Sequence, residues 1–333
     1  MLKAGKLDSE LLERIVFDKI TYKSSDVLVR PGIGEDCAVV DFGQYECVMS
    51  TDPITAAISE IGRLAIHITC NDIASNGVKP LGIMLAVMLP LGTTEEEIAT
   101  IMGQASETAE KLGVEIIGGH TEITPAVNTP VIVSTAIGKD KKGKSQKAHS
   151  VKPGDYILMT KYAGIEGTGI IACDFEDQLK DVCSKEELSM AKNFLKEVSV
   201  VREGIIAGNI GVGGMHDITE GGVLGAVWEM CQISKNGCEL WLDKVPVKDV
   251  TKKICKKFDI NYLRLISSGC MLIIAPEENK KKLEEALREK DINISCIGQI
   301  KELSYGIKAI KEDGKTIVEI SPPESDELYK VVK

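Results

Sequence analysis

The sequence predicts a two-domain protein of mixed α/β (α+β) class. Three observations carry that expectation. At 333 residues the chain is long for a single hydrophobic core. Its first half alternates apolar runs of strand type with segments whose apolar residues recur at helical spacing. Its second half closes on a strand–helix–strand pattern, beyond a lysine-rich tract at 139–152 that ends in Pro153-Gly154-Asp155. The boundary is placed in that tract, giving an N-terminal α/β domain at 1–150 and a C-terminal α/β domain at 151–333.

Residues 38–40 and 47–50 read as strands around a turn at Gly43-Gln44, with Asp52 just past the second. Residues 60–76 read as a helix with Ile61, Leu64, Ala65 and Ile68 on one face. Gly77 and Pro80 end it, glycine supplying a left-handed cap and proline a residue that cannot continue the ladder. The near-continuous apolar run at 81–89 reads as a buried strand. Thr94 and Glu97 form a capping box for a helix carrying Ile98, Ile101, Met102, Ala105, Ala109 and Leu112, closed by Gly113. Residues 114–117 then read as a strand ending at Gly118-Gly119, and 131–137 as another, so the order is β-β-α-β-α-β-β. The second half opens with a strand at 156–160 and a glycine-rich turn at 164–169. Helices follow near 185–208 and 222–235, then strand 271–275, helix 277–289 and strand 294–300.

A net charge of −10 argues against nucleic acid as a bulk partner, though a metal ion and backbone amides can still recruit phosphate to an acidic protein. Ten cysteines without a C-x-x-C pair read as reduced core thiols rather than a structural zinc site. The first residues lack a signal-peptide apolar region, and the longest apolar stretch, 81–91, is too short to span a bilayer. A soluble, cytoplasmic protein with no membrane partner is expected.

Five short acidic or glycine-rich clusters flank the apolar runs: Gly32-Ile33-Gly34-Glu35-Asp36, Ser50-Thr51-Asp52-Pro53, Asn71-Asp72-Ile73-Ala74, Gly118-Gly119-His120-Thr121-Glu122 and His216-Asp217-Ile218-Thr219-Glu220-Gly221-Gly222. Mg²⁺ takes hard oxygen ligands, commonly one or two carboxylates plus substrate phosphates. Taken together, carboxylates beside backbone-permissive glycines point to a nucleotide enzyme. Asp36 behind Gly32 and Gly34 suits a phosphate loop, with an ordinary turn as the alternative. Asp52 is held extended by Pro53, which turn capping explains equally well. Asp72 lies on a helix among small residues, where a buried carboxylate calls for a cation, solvent exposure being the alternative. His67 and Cys70 lack a second ligand pair and read as packing. His120, at a presumed strand end, is a candidate to touch substrate or phosphate. Thr219 reads as a helix cap, with Gly221 and Gly222 leaving amides open to an anion.

Gly138-Lys139-Asp140-Lys141-Lys142-Gly143-Lys144-Ser145 matches the G-x-x-x-x-G-K-[ST] pattern. A phosphate loop needs a helix starting at the lysine. Pro153 follows too soon for one, so this segment reads as a solvated loop between domains.

As an ordered set, the five clusters resemble the aminoimidazole ribonucleotide (AIR) synthase superfamily, which includes AIR synthase, HypE-type hydrogenase maturation proteins, thiamine-monophosphate kinase and selenophosphate synthetase. The resemblance covers essentially the whole chain. It implies a PurM-like architecture whose N-terminal domain dimerises through its sheet, with ATP in the groove between domains and near the dimer interface. Asp36, Asp52 and Asp72 would hold Mg²⁺ and the ATP phosphates. Gly32 and Gly34 would cover the nucleotide, Asn71 would belong to the same binding motif, and Gly118, Gly119 and Thr121 would line the phosphate path. His216 and Asp217 would be the second domain's share, and His120 and Asp217 the candidates for contact with the reacting group.

The His-Asp-Ile-Thr-Glu-Gly-Gly cluster looks most like the HypE branch, whose members use ATP to dehydrate a carbamoylated C-terminal cysteine. That cysteine usually closes a Pro-Arg-Ile-Cys-like tail. This sequence ends Leu328-Tyr329-Lys330-Val331-Val332-Lys333, and its last cysteine is Cys296. The expectation is therefore a HypE-related enzyme that keeps the nucleotide site without the self-modified tail. It would activate an amide-like oxygen or transfer phosphate, acting on a small molecule or a maturation partner protein. The alternative is a nucleotide-binding regulator or maturation partner without turnover.

Overall fold

The computed structural model describes residue 7 and residues 9–55, 58–145, 150–311, 313–323 and 325–332. The first six residues, 146–149 of the lysine-rich tract and Glu324 of the tail lie outside the described residues.

After a short helix α1 (Ser9–Ile15), the first half forms a six-stranded sheet in the order β1-β2-β3-β6-β4-β5. Its strands are β1 (Val27–Val29), β2 (Ala38–Phe42), β3 (Tyr45–Ile54), β4 (Pro80–Leu89), β5 (Glu115–Ile123) and β6 (Val131–Lys141). Pairings are antiparallel except β4 with β5, which are parallel because a helix crossover joins them. Helices α2 (Ile61–Ser75) and α3 (Glu95–Leu112) pack on each other, and α2 lies against β3 and β6.

The α3 helix starts and stops as its sequence directs. Thr94 Oγ1 accepts from the Glu97 amide at 3.2 Å, the Glu97 carboxylate accepts from the Thr94 amide at 2.7 Å, and Gly113 closes the helix with φ of 66°. Every α2 residue except Arg63 is buried, as befits a helix covered on all sides.

The second half forms a seven-stranded sheet, β13-β12-β9-β11-β7-β10-β8. Its elements in chain order are β7 (Tyr156–Thr160), α4 (Ile165–Asp174), α5 (Glu176–Leu179), α6 (Lys185–Asn193), α7 (Val201–Ile210), β8 (Gly214–Asp217), α8 (Gly222–Ser234), β9 (Gly237–Trp241), α9 (Asp249–Phe258), β10 (Met271–Ala275), α10 (Glu277–Arg288), β11 (Ile294–Lys301), β12 (Ile307–Ile310) and β13 (Ile317–Glu319). The mixed α/β, two-domain expectation holds.

Several local expectations do not. The strand expected to stop at Gly118 continues to Ile123, because β4 pairs with it residue by residue as far as Leu89 with Ile123. Asp52 lies within β3 rather than past it, opposite Ser134 of β6. Only Gly164 of the expected glycine-rich turn is a turn. Residues from Ile165 on are helix α4, in which Gly167 and Gly169 face Leu265 and Leu195. The helical stretch expected near 185–208 is divided between α6 and α7. The 81–89 strand is buried on one face only, with Leu81 and Met84 exposed.

The two halves meet along α2. Its C-terminal turn is crossed by α7 at Gly204, where an added Cβ would lie 2.1 Å from the Ala74 carbonyl oxygen. Asn71 reinforces the crossing: its Nδ2 donates to the Val198 carbonyl and its Oδ1 accepts from the Val200 amide, both at 2.8 Å. One apolar core runs through both halves, so the domains pack as one body.

Candidate functional site

A cleft of about 810 Å³ opens between the two halves, within the usual range for small-molecule sites. Its first-half wall carries Asp36 from the loop before β2, Ser50 and Asp52 from β3, and Asp72 from α2. Strand pairing and the buried helix set these acids side by side. Ser50 Oγ donates to Asp72 Oδ2 at 2.5 Å, while the buried Oδ2 of Asp52 makes no hydrogen bond of normal geometry. Asp72 is 7% exposed. Burial, then the charges of Asp217 and Asp52, drive its pKa well above the usual carboxylate range, and Asp36 adds to the shift. Burial and the same four carboxylates raise the neighbouring Cys37 thiol as well.

His216 and Asp217 end β8 just behind this wall. The Asp217 amide donates to Ser75 Oγ of α2 at 3.1 Å. His216 is 2% exposed, with Nδ1 3.0 Å from Asp36 Oδ2 and 3.8 Å from Asp217 Oδ1, and Nε2 3.1 Å from Glu229 Oε2. Burial alone would lower its pKa, but Asp36, Asp217 and Glu229 outweigh it and hold the ring well above its ordinary value. Nδ1 or Nε2 of His216 and a carboxylate oxygen from each of Asp36 and Asp217 lie within 4.8 Å of one another, close enough for the three to share a metal ion. An orphaned Asp52 oxygen and a strongly repelled Asp72 fit a divalent cation with hard oxygen ligands.

The second-half wall carries Glu166 of α4, Glu220, Ser268 and, from the C-terminal segment, Asp326 and Tyr329. Glu166 accepts from the Ser268 amide at 3.2 Å. Asp326 accepts from the amides of Gly221 at 2.7 Å, Leu328 at 2.8 Å and Ile266 at 3.2 Å. The free amide at the start of α8 is thus taken by Asp326 rather than capped by Thr219, whose carbonyl instead accepts from Gly222. Tyr329 Oη donates to Glu220 at 3.0 Å.

Residues 34–139 match the AIR synthase related protein N-terminal domain, and residues 152–307 match the AIR synthase related protein C-terminal domain. The chain belongs to the AIR synthase related family. Within this family it is 28% identical to a putative hydrogenase expression/formation protein of Methanocaldococcus jannaschii, over 98% of this chain and 97% of that one. It is 23% identical to the carbamoyl dehydratase HypE of Rhodobacter capsulatus, covering 86% and 83% of the two chains. It is 25% identical to the selenide, water dikinase of Carboxydothermus hydrogenoformans, covering 89% and 92%. In fold it is similar to the crystal structure of a HypE–HypF complex, with a TM-score of 0.78, 24% identity and coverage of 94% and 99%. It is likewise similar to the hydrogenase maturation protein HypE in complex with ATP, with a TM-score of 0.73, 22% identity and coverage of 98% and 97%.

Of the site residues expected from the AIR synthase resemblance, the structure gathers Asp36, Asp52, Asp72, His216 and Asp217. Asn71 does not line the cleft, because both ends of its amide are spent on the domain crossing. Gly34 packs against Ile233 and Glu229 of α8. Gly118, Gly119, His120 and Thr121 stand apart on exposed β5. The His120 side chain is 70% exposed, and its Nε2 lies 3.4 Å from Glu122 Oε2.

Ser50, Glu166, Ser268 and Asp326 were not singled out from the sequence. Ser50 stood beside Asp52 in its cluster and was within reach. Glu166 was hidden in a glycine-rich stretch that reads as a turn. Ser268 and Asp326 carry no local signal.

The phosphate-loop lookalike is structural. Its first four residues, Gly138 to Lys141, lie in β6, and the buried Glu46 carboxylate accepts the amides of Gly143 at 3.0 Å and Ser145 at 2.6 Å. The amides that could have met a phosphate already hold an anion of the chain itself.

Proposed function

We propose that this protein is an ATP- and Mg²⁺-dependent enzyme of the AIR synthase/HypE type, which activates an amide-like oxygen or transfers phosphate. The observation that carries this is Asp72, a buried carboxylate facing a cleft of nucleotide size, with Asp36 and Asp52 beside it and the His216 ring against Asp36. Such a group is costly without a cation. Asp36, Asp52 and Asp72 would hold Mg²⁺, and bound there the ion would neutralise phosphate charge as phosphoryl transfer requires. The chain's own residues position the ligands: Ser50 orients Asp72, Ser75 tethers the Asp217 backbone, and His216 ties Asp36 to the second domain. The fold likeness to HypE in complex with ATP supports the nucleotide.

The protein would act as a homodimer in the cytoplasm. Leu81, Met84, Ile117 and Ile123 are exposed on β4 and β5, more apolar surface than a solvated sheet edge needs. Gly118, Gly119, His120 and Thr121 would then lie beside the dimer contact and could serve the site only through it. The cysteines, all free thiols, suit a reducing compartment. Whether the acceptor is a small molecule or a maturation partner is the finer question. The HypE–HypF complex among the fold relatives favours a partner protein.

ATP binding and hydrolysis, with and without Mg²⁺, test this reading in the wild type and in Asp72→Ala. Mg²⁺-dependent binding in the wild type, weakened at least tenfold in the variant, supports it. Binding that is absent, or that is unchanged in Asp72→Ala, overturns it.

A further inference from the structure

Every charged residue lining the cleft is a carboxylate. Among the described residues, no Lys, Arg or His reaches its surface. On the first-half wall the proposed Mg²⁺ would answer that charge. The second-half wall holds its own acids, and they differ in how fully they are engaged. Asp326 accepts three backbone amides, capping its own turn at Glu327–Lys330 and holding the amide of Gly221 just before α8. Glu220 accepts the Tyr329 hydroxyl. Glu166, 4% exposed, receives one backbone amide, that of Ser268. The Ser268 hydroxyl, 1% exposed and on the cleft wall, makes no hydrogen bond of normal geometry, although it lies near enough to Glu166 to favour its ionised form. A buried carboxylate with acceptor capacity to spare, beside a buried hydroxyl with an unmet hydrogen-bonding need, describes a built polar subsite rather than a solvated acidic surface.

We infer that Glu166 and Ser268 form the acceptor subsite of the proposed ATP-dependent reaction, and that it selects an acceptor presenting a nitrogen hydrogen-bond donor, a primary amide or protonated amine, over a phosphate-bearing one. The inference rests on the ATP-dependent reading above. Its chemistry is that of complementary hydrogen bonding. An amide or ammonium N–H donates to the Glu166 carboxylate, and the Ser268 hydroxyl takes the remaining donor or acceptor. A phosphate placed there would face Glu166, Glu220 and Asp326 with no cation to receive it, and unpaired like charge is the strongest means of rejecting a ligand. Burial raises the Glu166 pKa to about 7; Ser268 opposes the shift, and Asp326 and Glu220 add to it. Glu166 therefore gains charge as pH rises through neutrality, and its ionised form accepts the stronger hydrogen bond from a nitrogen donor. The groups facing it are Ser268, Asp326 and Glu220, with Tyr329 behind Glu220.

The test is saturation-transfer NMR on the full chain with Mg²⁺ and a non-hydrolysable ATP analogue, using N-acetylglycinamide, agmatine and ribose 5-phosphate as probes. Wild type is expected to bind both nitrogen probes at least tenfold more tightly than the sugar phosphate, with agmatine affinity rising between pH 6 and pH 8. Glu166→Gln should weaken agmatine at least tenfold and narrow the discrimination against ribose 5-phosphate, and Ser268→Ala should weaken both nitrogen probes several-fold. Melting curves establish that both variants are folded. Ribose 5-phosphate binding as tightly as the nitrogen probes overturns the inference, as do unchanged affinities in the two folded variants. Failure of the analogue itself to bind with Mg²⁺ overturns the ATP-dependent reading instead, and the probe preferences are then read in its absence.

Discussion

The Asp36 carboxylate lies 3.0 Å from Nδ1 of His216, and this contact joins a loop of the first domain to the last residues of β8 in the second. It sets a basic ring against an acid cluster that also includes Asp52, Asp72 and Asp217. Site and domain arrangement are thereby linked: a movement of one domain against the other shifts His216 and Asp217 relative to Asp36, Asp52 and Asp72.

His216→Gln should destabilise the protein by about 3 kcal/mol, as breaking a buried charge pair does. The His216 pKa is raised in the folded state, so its stabilisation is fully present below the unfolded histidine pKa of about 6.5. It is lost as pH rises through the folded value. Urea denaturation from pH 6 to pH 10 should show the wild type's advantage shrinking toward alkaline pH. A constant gap would mean that His216 acts by packing alone.

Glu166→Gln should do the reverse. With a folded pKa of about 7 against 4.5, the folded protein holds this proton more tightly than the unfolded chain. Stability therefore falls as pH rises from 4.5 to 7. The glutamine variant should match the wild type near pH 4.5 and exceed it by up to about 3 kcal/mol above pH 7. Thermal melts at pH 5 and pH 8 check this, and equal melting at both pH values would refute it.

Asn71→Ala should cost about 2–3 kcal/mol. It leaves the Val198 carbonyl and the Val200 amide unpaired at the buried domain crossing. Chemical denaturation measures the loss. A neutral effect would show that the crossing is held by the close approach of α2 and α7 without the amide clamp.

Lys144→Ala should leave Mg²⁺-dependent ATP affinity within twofold of wild type. The loop amides beside Lys144 are bound to Glu46, and the lysine has no phosphate to reach. A tenfold loss by calorimetry would reinstate the phosphate-loop reading.

The acid cluster was legible because its members stand in short polar motifs with a glycine, a proline or small residues within a few positions, set among apolar runs. Water does not favour that placement for a lone carboxylate, and a folded core tolerates it only with a partner. The α3 helix was legible to its caps, because Thr94, Glu97 and Gly113 act within a few residues of their targets. Gly118-Gly119 misled, since glycines punctuate a strand in sequence but do not end one that a neighbour pairs through. Asn71 misled for a related reason. The resemblance implied a binding residue, whereas its amide is spent on backbone 127 and 129 residues away.

The sequence by itself determined the mixed α/β class and the principal helices and strands, because periodicity, capping and local punctuation act over a few residues, and its five ordered motifs carried the family resemblance that pointed to Asp36, Asp52 and Asp72. Only the tertiary structure decided that Glu166 and Ser268, 102 residues apart, share a wall of the cleft. It alone decided that Asp326 holds the Gly221 amide before α8 and that His120 stands on an exposed edge. Burial and pairing between distant segments set those environments, and a buried carboxylate's chemistry follows from what surrounds it rather than from its neighbours in the chain.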